Sequence, residues 1–182
     1  MKNELIEKMK MTGRLELTFW ESLTHYMIVF AFVFPLAVIS INSLSYNADS
    51  SISVRTPLEM SLFGVPFALL GILSYFVQYK RLQFKIVETN LSREKLNELL
   101  DRTSDELEWI PVIKTKDIFI AKTIPKWWTG SWGEQITILI DKERLMINSI
   151  CDPEQRTSVT SMGRNKKNVN RLIENIKKAN CL

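Results

Sequence analysis

The chain has 182 residues, 46% of them hydrophobic and 24% charged, with a formal net charge of +4. That length holds one modest folded domain and something besides. The charge is too diffuse for a nucleic-acid surface, since no Lys/Arg stripe carries interleaved aromatics, and a single histidine, His25, excludes a multi-histidine metal site and most histidine-based catalysis.

Residues 1–25 form an arm of balanced charge. Leu5, Ile6 and Met9 predict a short helix that Gly13 breaks. Residues 14–19 then alternate as a strand does, and so do residues 82–88 further on. The two stretches run in opposite directions and are candidates to pair antiparallel; a continuous interfacial helix over 14–25 is the alternative.

Two uncharged apolar runs follow, residues 26–44 and 60–79. About 20 residues at a 1.5 Å rise cover a hydrocarbon core of roughly 30 Å, and neither run leaves the polar face that a soluble helix needs. Pro35 and Pro66 sit mid-run, where neighbouring helices re-satisfy the freed backbone groups. The charged leader and the apolar run are both too long for a cleaved signal peptide, and no A-x-A site follows. The connecting loop, 45–59, holds one basic residue, Arg55, whereas Lys2, Lys8, Lys10 and Arg14 precede the hairpin and Lys80, Arg81 and Lys85 follow it. The positive-inside rule therefore puts both termini in the cytoplasm of a multi-pass inner-membrane protein. Tyr26, Tyr46, Tyr75 and Tyr79 fall near the ends of the runs, as interfacial rings do. Gly64, Ala68 and Gly71 are small residues at helical spacing. They predict close packing against the first run of the same chain, with self-association between chains as the alternative.

Residues 80–182 carry a net charge of +5, suited to a domain held beside anionic lipid. Asn90 or Ser92 caps a helix whose face is Leu96, Leu99, Leu100, Thr103 and Leu107. Strand-like runs follow at 112–115, 118–124, 135–140 and 145–150, with connections short enough for antiparallel hairpins. A last helix spans about 165–179, with Val169, Leu172, Ile173 and Ile176 on one stripe. The expected fold class is α+β: a two-helix transmembrane hairpin plus a cytoplasmic antiparallel sheet with helices packed on one face.

Three constellations could carry function. In the loop 125–133, Trp127, Trp128 and Trp132 crowd beside Lys126. Indoles favour the lipid headgroup zone, so this loop is a candidate for membrane or partner contact; the alternative is that the rings cap the core. At the start of the last helix, Ser161, Arg164, Lys166 and Lys167 offer an anion-binding arrangement, although Gly163 lacks the spacing of a Walker loop or of G-x-G-x-x-G. The competing reading is a plain capped helix with solvated lysines. Finally, Glu134, Asp152 and Glu154 are carboxylates with no nucleophile to serve, and Cys151 reads as an inert thiol. Cys151 and Cys181 lack metal-ligand spacing and are expected as free thiols. No cofactor and no metal is implied.

Residues 131–134 (Ser-Trp-Gly-Glu), 148–153 (Asn-Ser-Ile-Cys-Asp-Pro) and 163–168 (Gly-Arg-Asn-Lys-Lys-Asn) resemble stretches of small uncharacterised bacterial two-helix membrane proteins with a C-terminal α+β domain. The resemblance covers most of residues 26–180. It implies the layout and a bacterial inner-membrane setting, and no site residues. The expectation from all of this is a non-enzymatic, membrane-tethered binding or regulatory module of a bacterial envelope assembly, with membrane lipid and a protein partner or a second copy as partners and no nucleic acid. The alternatives are an enzyme acting on a lipid or phosphorylated substrate, with Arg164 and Lys166 as anion binders, and an oligomeric channel subunit.

Overall fold

A computed structural model describes residues 3–48, 57–124, 132–155 and 161–181. Contacts divide the chain into two compact units, His25–Lys80 and the combination of Met1–Thr24 with Arg81–Leu182.

The first unit is the helical hairpin. Its helices are α2 (Phe19–Ala48), which starts in the other unit, and α3 (Pro57–Arg81), both continuous through Pro35 and Pro66. Thr18 and Glu21 open α2 as a reciprocal capping box, the Glu21 carboxylate accepting from the Thr18 N–H at 2.6 Å and Thr18 Oγ1 accepting from the Glu21 N–H at 3.3 Å. The more covered residues of α2, Ile28, Val29, Phe32, Pro35, Leu36 and Ile39, recur at three- and four-residue steps, as do Gly64, Phe67, Ala68, Gly71 and Ser74 on α3. That spacing is the seam of two helices packed along their length. At Gly64 an added Cβ would meet Leu36 at 3.4 Å, and at Gly71 it would meet Phe32 Cβ at 3.6 Å. At Gly64 and Gly71 the neighbouring atoms belong to side chains of α2. Away from the seam the helices expose Phe30, Val33, Phe34, Leu69, Ile72 and Phe76.

The second unit is built on a five-stranded sheet in the order β1-β5-β4-β3-β2, with β1 at Lys85–Glu88, β2 at Trp109–Lys114, β3 at Ile118–Thr123, β4 at Glu134–Asp141 and β5 at Arg144–Cys151. Every neighbouring pair is antiparallel. The second strand begins three residues before its expected start and includes Pro111. It is an edge strand with a register shift between Pro111 and Ile113, and an edge tolerates both a missing N–H and a bulge, which blunt it against further pairing.

One face of the sheet is covered by α4 (Arg93–Leu107) and α5 (Arg164–Asn180). Leu96, Leu99 and Leu100 from α4 and Val169, Leu172 and Ile176 from α5 meet Phe119, Ala121, Ile136, Ile138, Leu145 and Ile147. Ser92 caps α4 as expected, its side chain accepting from the Lys95 N–H. The expectation that helices lie on one face alone is corrected here. Successive strand residues point to opposite faces, and the other face, with Ile118, Leu139, Met146 and Ile150, is just as buried. Its cover is the N-terminal arm: α1 (Asn3–Thr12) lies against β4 and buries Ile6 and Met9. The arm is thus part of the same folded unit as residues 81–182 rather than a separate segment. It is sewn in by the expected antiparallel pairing, reduced to one bridge, Arg14 with Gln83. The Leu15 N–H donates to the Leu82 carbonyl at 2.8 Å, and the Phe84 N–H donates to that of Gly13 at 3.0 Å. The helix alternative holds only from Phe19 onward.

Candidate functional site

The register decides which end of the sheet matters. β1 runs away from Arg81 and pairs Lys85 with Ile147 and Glu88 with Arg144. Residues before Lys85 therefore lie beside the last residues of β5. Asn148 fixes that arrangement, its Nδ2 donating to the carbonyls of Arg81 at 2.8 Å and Gln83 at 3.0 Å, while its buried Oδ1 has no hydrogen-bond partner among the described residues. The Arg81 carbonyl is one of the last four of α3, which a helix leaves unsatisfied. Cys151 at the end of β5 faces Glu134 at the start of β4, and Thr123 ends β3 alongside. The loop between β3 and β4 and the segment from β5 to α5 consequently leave the sheet at the end where the chain passes into α3.

A buried polar layer closes that end. Glu134 has no exposed surface. Thr123 Oγ1 donates to its carboxylate and accepts from its own N–H at 2.8 Å. Arg164, the first residue of α5, reaches the same carboxylate at 3.1 Å. The helix start does hold an anion, and that anion is Glu134. Ser161 is equally committed, its Oγ accepting from the Asn165 N–H at 3.2 Å. Lys166 and Lys167 are exposed. The four residues expected to bind an external anion are thus brought together only in part, because two of them already have internal partners.

Behind this pair runs a chain of side-chain bonds. Trp109 Nε1 donates to Asn168 at 3.4 Å, Asn168 Nδ2 donates to Ser149 Oγ at 3.3 Å, and Ser149 Oγ donates to Asn165 Oδ1 at 3.0 Å. Asn165 Nδ2 lies 3.9 Å from Cys151 Sγ. Cys151 and Cys181 are both free thiols.

Asp152 and Glu154 hold the neighbouring turn. The Asp152 N–H donates to the Gly133 carbonyl at 3.0 Å, and Lys122 pairs with Asp152 at 3.1 Å and Glu154 at 2.6 Å. Burial works to lower the Lys122 ammonium, but hydrogen bonds and charge from Glu154 and Asp152 outweigh it and hold the group above its ordinary value. On the far side of α5, Arg171 bonds Glu106, and Asn175 bonds it too, holding that carboxyl below its ordinary range. A hollow of about 300 Å³ opens between the end of α4 and the start of α5, lined by Glu106, Leu107, Glu108, Arg164, Lys167 and Asn168.

Of the tryptophan loop, Trp132 is described and half-exposed at 47%; Lys126, Trp127 and Trp128 lie outside the described residues. In the hairpin, Gly64 is buried, Ala68 half-buried and Gly71 buried. His25 lies in the hairpin unit, where its Nε2 donates to the Gln78 carbonyl at 3.1 Å and Gln78 Nε2 donates to the His25 carbonyl at 2.6 Å. A carbonyl only accepts, so Nε2 carries the proton. This clasp was half legible: His25 stands out in the sequence, while Gln78 is the one amide in an otherwise apolar run, at the position where α3 begins to leave its carbonyls unpaired. Stacked rings of Tyr26, Tyr75 and Tyr79 lie beside it.

No protein-family model matches the chain, and neither a curated protein nor a solved structure matches it.

Proposed function

We propose that this chain is a membrane-tethered binding or regulatory module, a subunit of a bacterial envelope assembly, in which the hairpin supplies location and the α+β unit presents its loop end in the cytoplasm. The supporting observation is the exposure of the hairpin. A helix buried in a soluble core would have most of its surface covered, yet 6% of the apolar window in the first helix is buried and 17% in the second. Around that surface Phe30, Phe34, Leu69, Ile72, Leu73 and Phe76 are 51–71% exposed. Uncovered apolar area of that extent needs lipid or protein against it. The basic residues flanking the hairpin support cytoplasmic termini, and the resemblance to bacterial two-helix membrane proteins supports the envelope setting.

Within the α+β unit, the polar groups at the loop end support binding over catalysis. Glu134 is engaged by Thr123 and Arg164, and Asp152 by Lys122, so neither carboxylate is poised for acid–base work. The reading is tested by membrane fractionation and extraction with alkaline carbonate, followed by gentle purification in detergent and identification of co-purifying proteins. A chain that stays in the supernatant after high-speed centrifugation without detergent overturns the tether. A second reading, an enzyme acting on a lipid or phosphorylated substrate, draws on the hollow beside Arg164 and Lys167. Its test is turnover of such a substrate by the purified chain, abolished by Lys167→Ala.

A further inference from the structure

The two ends of the sheet differ in what they show to their surroundings. At one end are the turn Asp141–Arg144 and the turn 115–117 (Thr-Lys-Asp), which carry no large apolar side chain; Glu88, Asn90, Lys142 and Glu143 border a polar hollow there. At the other end Ile124 is 61% exposed, Trp132 47% and Met162 67%. Phe19 and Trp20, just past the arm's bridge, are 73% and 72% exposed. The chain pairs antiparallel at Arg14 and Gln83, so from Leu15 onward it runs toward Arg81. Ile124, Trp132 and Met162 flank the ends of β3, β4 and α5 at this end, and the stretch that leads from Arg14 toward Phe19 and Trp20 runs toward it.

The geometry points to this end of the sheet, represented by Ile124, Trp132 and Met162, as a membrane-contact surface that sits on the cytoplasmic leaflet. The inference rests on the tether proposed above and goes beyond it by naming what the loop end touches. Lipid is the occupant that the arrangement favours. Both connections to the hairpin, at Thr24 and Arg81, leave from this end, which keeps the leaflet at high effective concentration there. Indole and aliphatic side chains with nearby lysines suit the headgroup boundary, and Lys166 and Lys167 stand exposed at the start of α5, four and five residues after Met162. The charged opposite end is what a surface turned to the cytosol requires.

The test uses the full chain in vesicles of phosphatidylethanolamine and phosphatidylglycerol. In a Cys151→Ser, Cys181→Ser background, single cysteines at Ile124→Cys, Met162→Cys and, as control, Lys142→Cys carry an environment-sensitive fluorophore. All three positions are exposed, so no core contact is lost. The expected result is a blue shift, with quenching by spin-labelled lipid, at positions 124 and 162 and neither at 142. Labels at 124 and 162 as wet as the label at 142 overturn the inference and point instead to a protein occupant. A label-free arm uses brominated lipid: Trp132→Phe should remove part of the tryptophan quenching of the unlabelled chain, and unchanged quenching counts against the contact. Carbonate extraction of the same vesicles separates the two levels. Release into the supernatant sinks the tether itself, whereas retention with a wet loop end sinks this inference alone.

Discussion

Replacing Arg164 by Ala should be the most damaging single change at the loop end of the sheet. Glu134 has no exposed surface, and its carboxylate is answered by Thr123 Oγ1 and by the guanidinium 3.1 Å away. At an effective dielectric of about 20, unit charges roughly 3 Å apart attract by about 5 kcal/mol. Desolvation of the carboxylate consumes much of this, so the pair's net worth is small, but deleting one partner leaves the cost without the return, typically about 3–5 kcal/mol. Arg164 keeps 27% of its side chain in solvent, which admits water to the vacated space and moves the expectation to the lower end, about 2–3 kcal/mol. For a unit of this size that is a fall in melting temperature of roughly 10 °C. Glu134→Gln should cost less, about 1 kcal/mol, because a neutral amide still accepts from Thr123 and the half-solvated guanidinium turns to water. Thermal unfolding of the detergent-solubilised full chain, read through Trp109 beside the same network, gives both values. A loss under about 0.5 kcal/mol for Arg164→Ala, or a larger loss for Glu134→Gln, refutes the account of a buried carboxylate that Arg164 helps to hold.

Other consequences follow from single contacts. Gly71→Ala should be neutral, since its Cβ would sit in ordinary contact at 3.6 Å from Phe32. Gly71→Leu should force the hairpin apart at a cost of about 1–3 kcal/mol, measurable by unfolding in mixed micelles. His25→Ala should cost about 1–3 kcal/mol by removing the hydrogen bond that the buried Gln78 carbonyl accepts from the ring. The raised Lys122 group contributes stability that is fully present below the ordinary lysine value and is lost as pH climbs through the higher folded one. Lys122→Met should therefore flatten the alkaline limb of a stability profile. The lowered Glu106 group works the other way, contributing above the ordinary carboxylate value and losing it as pH falls through the lower folded one. Glu106→Gln should remove that acid-side loss while leaving the alkaline limb unchanged.

The hairpin, α4, α5 and the five strands were legible, β2 with a start set three residues late, because each is announced by its own residues. Apolar length marks α2 and α3, alternation over residues 82–88 marks β1, and short apolar runs between turn residues mark β3 to β5. The anion reading at the start of α5 shows where local signals stop. Ser161, Arg164, Lys166 and Lys167 have the composition of an anion site, and the α5 start does take a carboxylate, but it comes from Glu134, a full hairpin away in sequence. Spacing along the chain carries no information about that encounter; only the pairing of Glu134 with Cys151 brings it over the helix start. The early beginning of β2 is a different case. Pro111 argues against a central strand, and the run expected from 112 begins just after it; in the sheet it lies within an edge strand.

The strands themselves call for the second covering layer. A sheet with one wet face alternates apolar with polar. Here β3 reads Ile118, Phe119, Ile120, Ala121, β4 carries Ile138, Leu139 and Ile140 in succession, and β5 carries Leu145, Met146 and Ile147. Residues of both parities are buried, including Ile118, Leu139 and Met146 on the face away from α4 and α5. Such runs demand cover on both sides, and α4 and α5 supply one side. The remaining helix able to bury an apolar stripe outside the hairpin is the arm with Ile6 and Met9. Its place on the sheet has a topological consequence. α1 arrives before the hairpin and β1 after it, so the two sides of the α+β unit are joined through the membrane-length segment between them, and the unit completes its fold only once residues 81–151 meet residues 3–15. Deleting residues 1–12 should therefore expose the Ile118, Leu139 and Met146 face and leave the hairpin in place. Loss of the cooperative unfolding transition with full retention in the carbonate-washed membrane is the expected outcome, and an unchanged transition would show that α1 is not the cover this face requires.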